Sequence, residues 1–318
     1  LNQRTAEVSE ATRRRVWTAV EALGYQPNAL ARSLAGRPTR TFGLAWVEGA
    51  NSLAEDGLSA FLTGLGEVLF SGGYALTLAG GVAPAEFASR LDELLARQVD
   101  GLLLLAAGFP GEERLLRRLA AQTCPLVVCG PRPEGLPAAR VDVDQREGMR
   151  LAAAHLLDLG HRRLAYLDAP GDWPYRLRRE GFRAAVEAVH PSPETLCLAT
   201  DGCEAGGYQA GERLLREVDR PTAFVGANEA LAIGFMRAAW REGIGIPERA
   251  AVVGFGDSPA AAYTIPALTT VRGSLRAVGA AAGRILAEAA AEGTTAQGTC
   301  LIPPKLVVRE SCGSALWL

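Results

Sequence analysis

The sequence is poor in the side chains that most often carry enzyme chemistry. Lys305 is the only lysine, which excludes a phosphate-binding loop, because that loop needs an ammonium to reach the phosphates. Schiff-base catalysis is poorly supported for the same reason. The only histidines are His155, His161 and His190, and their spacing fits neither HExxH nor another helical ligand pair, which argues against a His-rich catalytic metal centre. No GxSxG nucleophile elbow occurs. The nearest thing to a dinucleotide loop, Gly64-Leu65-Gly66, falls inside an apolar-periodic helical segment and lacks the third glycine. No apolar run approaches the roughly 18 residues of a membrane span, and the opening LNQRTAEVSE has no apolar core for a secretory signal, so a cytoplasmic protein is expected. The six cysteines (124, 129, 197, 203, 300 and 312) form no CxxC pair or regular framework, and reduced, mostly buried thiols are expected.

What is present is an ordinary globular composition, 48% hydrophobic and 21% charged, over 318 residues. That length exceeds one comfortable hydrophobic core, so two or more folded units are expected. The formal net charge of -2 conceals a division. Residues 1–40 hold seven arginines against three acids, leaving 26 basic and 32 acidic residues for the rest. A basic head sits on an acidic body.

From Phe42 onward, strand-length apolar runs alternate with helix-length amphipathic ones. FGLAWV, Leu53–Ser71, YALTLAG, Pro84–Gln98, VDGLLLLA, Glu112–Gln122 and PLVVCG form a first series. RLAYLDA, Arg176–Val189, TLCLAT, Glu204–Val218, TAFVGA, Asn228–Glu242 and AAVVGFGD form a second. This alternation predicts two α/β units with parallel sheets, joined through Gly130–Pro137 and the strand ARVDVD, with a ligand cleft outside the carboxyl ends of the strands. The head differs in kind. Ser9 is placed to cap a helix through ATRRRVWTAVEAL that stops at Gly24, with Arg13, Arg14 and Arg15 outside. After Pro27, NALARSLAG offers about two turns, capped by Asn28 and ended by Gly36, too short to be stable alone.

These segments together resemble the lactose-repressor and purine-repressor family of bacterial transcription regulators. The resemblance runs through VSEATRRRVWTAVEALGYQPNALARSLAGRPTRTFGL, HLLDLGHRRLAYL, EGFRAA, AFVGANEALAIGFMRA, GIGIPE, AVVGFGD, IPALTTVRGSL and LVVRES, in order. It implies a two-lobed, periplasmic-binding-protein-like sensor with parallel sheets, preceded by a partial DNA-binding headpiece and hinge helix in residues 1–40. The first lobe would comprise about 41–143 plus 274–297, and the second about 144–273 plus 298–318. The family's reading helix and the helix before it would precede Leu1, so upstream residues are expected. In such a dimer the paired hinge helices lie in the minor groove and lever an apolar side chain between base steps. Leu34 takes the lever position, with Ala31 one turn earlier; Asn28 caps the hinge, and Arg32, Arg13 and Arg14 would lie near phosphates.

The resemblance also implies partners: operator DNA, a second copy of the chain, and a small-molecule effector such as a sugar, nucleoside or other small metabolite, with no cofactor, metal or membrane. Arg178 matches an arginine directed at ligand oxygens, and Asn228 an asparagine facing the cleft. Asp257 is the surviving acid of GFGD, where the family often has GFDD. Gly130, Gly256 and Gly273 stand where polar pocket residues are common, which argues against a typical polyhydroxylated sugar; Trp46 and Trp173 are candidate walls. Asp142 and Asp144, and His155 and His161, are read as structural. A solute-binding protein shares the two-lobed core, but the missing signal and the NALARSLAG hinge count against it. An enzyme ranks last, because no nucleophile–base pair, metal cluster or phosphate loop supports one.

Overall fold

The computed structural model describes residues 9–22, 38–47, 55–106, 111–122, 124–171 and 173–314. Helix α1 (Glu10–Ala22) starts where Ser9 Oγ accepts the Thr12 N–H at 3.4 Å. Arg14 and Arg15 are exposed on it, and Arg14 makes an exposed contact to Glu10 one turn away.

The first lobe is a six-stranded parallel sheet in the order β11-β5-β4-β3-β1-β2. Its strands are β1 (Thr41–Val47), β2 (Ala75–Val82), β3 (Gly101–Leu105), β4 (Leu126–Cys129), β5 (Ala139–Val143) and β11 (Thr299–Ile302). The run GLLLL of β3 is buried at every position because helices cover both faces. Alternation along the strand divides it: Leu103 and Leu105 join Phe42, Leu44 and Val127 on one face, while Leu102 and Leu104 join Leu126 and Val128 on the other. Helix α2 (Glu55–Ser71) covers the first face, and α3 (Pro84–Ala96) and α4 (Glu112–Ala120) cover the second.

The second lobe repeats the plan. Its strands are β6 (Arg163–Asp168), β7 (Glu194–Ala199), β8 (Ala223–Gly226), β9 (Ala251–Gly256), β10 (Thr269–Arg272) and β12 (Lys305–Val307), in the order β12-β10-β9-β8-β6-β7. Only β12 runs antiparallel to its neighbour. Helix α5 (Gln145–Asp158) packs on α6 (Tyr175–Glu187), and α7 (Glu204–Leu214) on α8 (Glu229–Arg241). Helix α9 (Leu275–Glu292) returns to pack on α2 in the first lobe. Each pair closes on glycine. A Cβ at Gly64, Gly181 or Gly207 would come within 1.9, 2.1 and 2.2 Å of the carbonyl oxygens of Arg276, Arg146 and Leu231.

Three details differ from the sequence expectations. The segment 298–318 does not belong wholly to the second lobe. Residues 299–302 pair with β5 in the first sheet, and only 305–307 reach the second. Pro303-Pro304 is the reason, since two residues without an N–H end one strand and let the chain cross before the next begins. Helix α7 stops at Leu214 rather than Val218, because its buried stripe ends at Leu214–Leu215 and Val218 is fully exposed. Among the six free cysteines only Cys129 and Cys312 are buried, and Cys197 and Cys203 lie at the surface.

Candidate functional site

The chain passes between lobes after β5, β10 and β11, and a cleft opens at the carboxyl ends of the strands beside these crossings. Side-chain caps fix the helices that begin there. Asp144 accepts the Glu147 N–H at 2.9 Å, Asn228 the Leu231 N–H at 2.9 Å, and Ser274 the Ala277 N–H at 3.2 Å. The cleft has an inner chamber of about 100 Å³ and an outer one of about 940 Å³, which share Arg178, Phe255, Gly256, Gly273 and Leu275.

Arg178, on the first turn of α6, is the centre of the site. Its Nε donates to Gln145 Oε1 at 2.9 Å and its Nη1 to the Ala227 carbonyl at 2.6 Å, while the guanidinium lies 3.8 Å from the centroid of the Phe255 ring. Burial lowers its pKa, opposed by the nearby Tyr175, Tyr166 and Asp142. Among the described residues no carboxylate touches it, so it is a buried cation bonded only to neutral groups. Neighbouring Arg176 and Arg179 bind Glu180 and Asp168 instead.

Asp142 lines the inner chamber from β5. Burial raises its pKa, opposed by its bonds to Arg140 (2.8 Å), the Val143 N–H (2.7 Å) and Gln145. Trp173 forms a wall of the same chamber, and its buried Nε1–H has no hydrogen-bond partner among the described residues. Phe61, Val141, Val143, Leu275 and Val278 supply the apolar remainder.

The other expected positions divide. Asn228 lines the outer cleft, but its amide is engaged: Nδ2 donates to the Gly202 carbonyl at 2.8 Å while Oδ1 caps α8. Asp257 also borders the outer cleft, yet its carboxylate is only 4% exposed and is held by Arg309 at 2.5 Å and by Arg272. Those two arginines engage the carboxylate, and its backbone N–H is bound by Glu229. Trp46 is not among the residues lining either chamber. It sits in register with Gly80, where a Cβ would come within 2.1 Å of the indole, so the ring packs on the neighbouring strand. Asn28, Ala31, Arg32 and Leu34 lie outside the described residues, as does the side chain of Arg13.

Sequence reasoning missed Gln145, Phe61, Phe255, Leu275, Val278 and Glu229. Glu229 had a signal, its place directly after the Asn228 cap. Its buried carboxylate accepts the N–H groups of Asp257 and Ser258 and the Thr270 hydroxyl (3.0 Å), tying β9 and β10 to α8. His155 bonds Ser314 Oγ at 3.0 Å and Cys312 Sγ at 3.3 Å, and His161 bonds Thr222 Oγ1 at 2.9 Å. Among the described residues no group of acids, histidines or cysteines could hold a metal ion, and no helix is long and apolar enough to cross a membrane.

Residues 153–312 match the model of the periplasmic binding protein-like domain. The chain is 31% identical to the ribose operon repressor of Escherichia coli K12 over 96% of its own length and 92% of the repressor's. It is 33% identical to the HTH-type transcriptional regulator CelR of Thermobifida fusca over 96% and 91% of the two chains. The chain belongs to the LacI family of transcriptional regulators. Two solved LacI-family structures share its architecture. The CelR–cellobiose complex superimposes with a TM-score of 0.74 at 31% identity, covering 96% of this chain and 92% of that one. The Lac repressor bound to ONPG gives 0.78 at 26% identity, covering 97% and 93%. As a LacI-family member the protein is a ligand-responsive transcriptional regulator, and the solute-carrier alternative falls away.

Proposed function

We propose that the protein is a dimeric repressor that holds operator DNA through its basic head and is switched, without an enzymatic step, by a small molecule bound between its lobes in the cytoplasm. Relatives support this reading: a ribose operon repressor and PurR repressors are among them, and solved neighbours hold cellobiose or, in the Lac repressor dimer, an operator with the anti-inducer ONPF. The observation that carries it is Arg178, a buried cation kept at the junction of both chambers with no carboxylate among the described residues to neutralise it.

Switching requires that lobe closure reach the head. Asp100 supports such a link, because its carboxylate accepts the N–H groups of Thr39 and Arg40 at 2.8 and 2.6 Å and so fastens the end of the head to the first lobe. An effector that favours one closure state shifts the spacing of the two hinge segments, and Asn28–Leu34 pair in the minor groove in one state only. Leu34 is the wedge, Ala31 its neighbour, and Arg13, Arg14 and Arg32 contact phosphates.

The test is operator binding by the protein expressed from its native start, on DNA selected from random sequence. Leu34→Ala is expected to weaken binding by about 10-fold or more, since the bend that the wedge stabilises is lost. Equal DNA affinity in variant and parent would overturn the hinge assignment.

A further inference from the structure

The cleft's hydrogen-bonding groups differ in what remains free. Its buried acceptor side chains are engaged. The Asp142 carboxylate accepts from Arg140, from the Val143 N–H and from Gln145. Gln145 Oε1 accepts from Arg178, and Asn228 Oδ1 from the Leu231 N–H. Asp257 is held by Arg272 and Arg309, and Glu229 by two backbone N–H groups and Thr270, while the exposed Asp201 at the rim of the outer chamber accepts the Cys203 N–H at 3.0 Å through Oδ1. Its free buried groups are donors. Among the described residues Trp173 Nε1–H has no partner, and Arg178 bonds through Nε and Nη1 only, leaving Nη2 unused.

A sugar ring presents a hydroxyl donor at nearly every carbon, and each buried donor needs an acceptor. A carboxylate presents acceptors alone. It also supplies the negative charge that Arg178 lacks, through charge-assisted bonds that gain strength away from water. Asp142 does not oppose this strongly, because Arg140 lies 2.8 Å from it.

We propose, resting on the reading that the cleft holds the effector, that this effector is an organic carboxylate with an apolar body rather than a polyhydroxylated sugar. The carboxylate accepts from Arg178 Nη2 and Trp173 Nε1. The carbons beside it lie against Phe61, Val141, Leu275 and Val278 in the inner chamber, whose 100 Å³ admits a compact end group, and the body extends into the 940 Å³ of the outer chamber.

The experiment is titration calorimetry of the intact protein with benzoate, phenylacetate, 3-phenylpropionate and cinnamate, with the four corresponding amides, and with ribose and cellobiose. At least one carboxylate is expected to bind, with its amide weaker by about 10-fold or more, because the charge-assisted bond to Arg178 is lost. Trp173→Phe should weaken that carboxylate by about 3- to 10-fold and Arg178→Gln by about 100-fold. If Arg178→Gln does not fold, Trp173→Phe and the amide comparison decide. Equal binding of amide and carboxylate, or no binding by any of the four carboxylates, overturns the inference. A bulky Leu275→Trp substitution separates the two readings. A sugar that binds the parent and is expelled by Leu275→Trp, with every carboxylate silent, leaves the cleft as the effector site and removes the carboxylate. Carboxylate binding that survives Leu275→Trp places the ligand elsewhere and overturns both.

Discussion

The two lobes share one architectural plan and fill it with different chemistry. The first-lobe sheet is packed mainly by leucine, valine, alanine and phenylalanine, and beside the buried Asp142 its contribution to the inner chamber is mainly an apolar cover: Phe61, Val141, Val143, Leu275 and Val278. The second lobe buries a polar scaffold of Arg178, Glu229, Thr269, Thr270 and Ser311, with Ser311 Oγ accepting the Thr269 N–H at 2.8 Å and donating to the Val252 carbonyl at 2.7 Å. The difference teaches how a symmetric fold makes an asymmetric site. In the proposed effector site the directional groups sit mainly on one lobe, held by buried hydrogen bonds, and the other lobe faces them with surface that demands no particular orientation.

The contrast is broken most severely by removing a hub of the polar scaffold. Glu229→Ala strands the N–H groups of Asp257 and Ser258 and the Thr270 hydroxyl, and is expected to cost about 4 kcal/mol in urea unfolding. Leu103→Ala in the first lobe is expected to cost about 3 kcal/mol through lost burial and a cavity. A Glu229→Ala protein within 1 kcal/mol of the parent would show that the polar scaffold carries no stability.

Glycine packing is the feature both lobes share, so the same substitution should act alike in each. Gly64→Ala in the first lobe and Gly181→Ala in the second each drive a methyl into a backbone carbonyl, with an expected loss of about 2 kcal/mol apiece. A loss confined to one lobe would mean that the other helix pair can slide apart.

A smaller effect sharpens the contrast through pH. Burial pushes the Cys312 thiol up, but hydrogen bonds from His155, Ser314 and Thr269 together overcome it and bring it down to about 6. The folded protein therefore releases this proton before the unfolded chain does, whose thiol keeps the usual value near 9. Stability from this group is fully present above pH 9 and is lost as pH falls toward 6. Thermal melts of the parent should rise across that window relative to Cys312→Ala, and parallel curves would remove the contribution. The smallest effect is expected on the first-lobe surface, where the exposed Arg117–Glu113 pair predicts less than about 0.5 kcal/mol for Glu113→Ala.

Much of this organisation was legible in the sequence. Leucine- and valine-rich runs of strand length marked both sheets, Ser9 stands where a helix begins, and Arg178 was visible through a family segment. What was not legible depends on contacts distant in the chain. Asp257 looked available because Arg309, 52 residues away, is not visible as its partner until the strands are assembled. Phe61 and Val278 are indistinguishable in sequence from core residues, since a helix face turned to a cleft has the same period as one turned to a sheet. Trp46 looked like a pocket wall until its register opposite Gly80 gave it another place. The single apolar run near Leu301–Val308 hid a crossing that only Pro303-Pro304 marked.

The division of recognition between the lobes is tested most directly by the dissociation constant of whichever carboxylate binds the parent, measured for Arg178→Gln and Leu275→Ala side by side. The expected result is a loss of about 100-fold for the second-lobe change and about 10-fold or less for the first-lobe one. The reverse order, or equal losses, would contradict a polar lobe that recognises and an apolar lobe that covers.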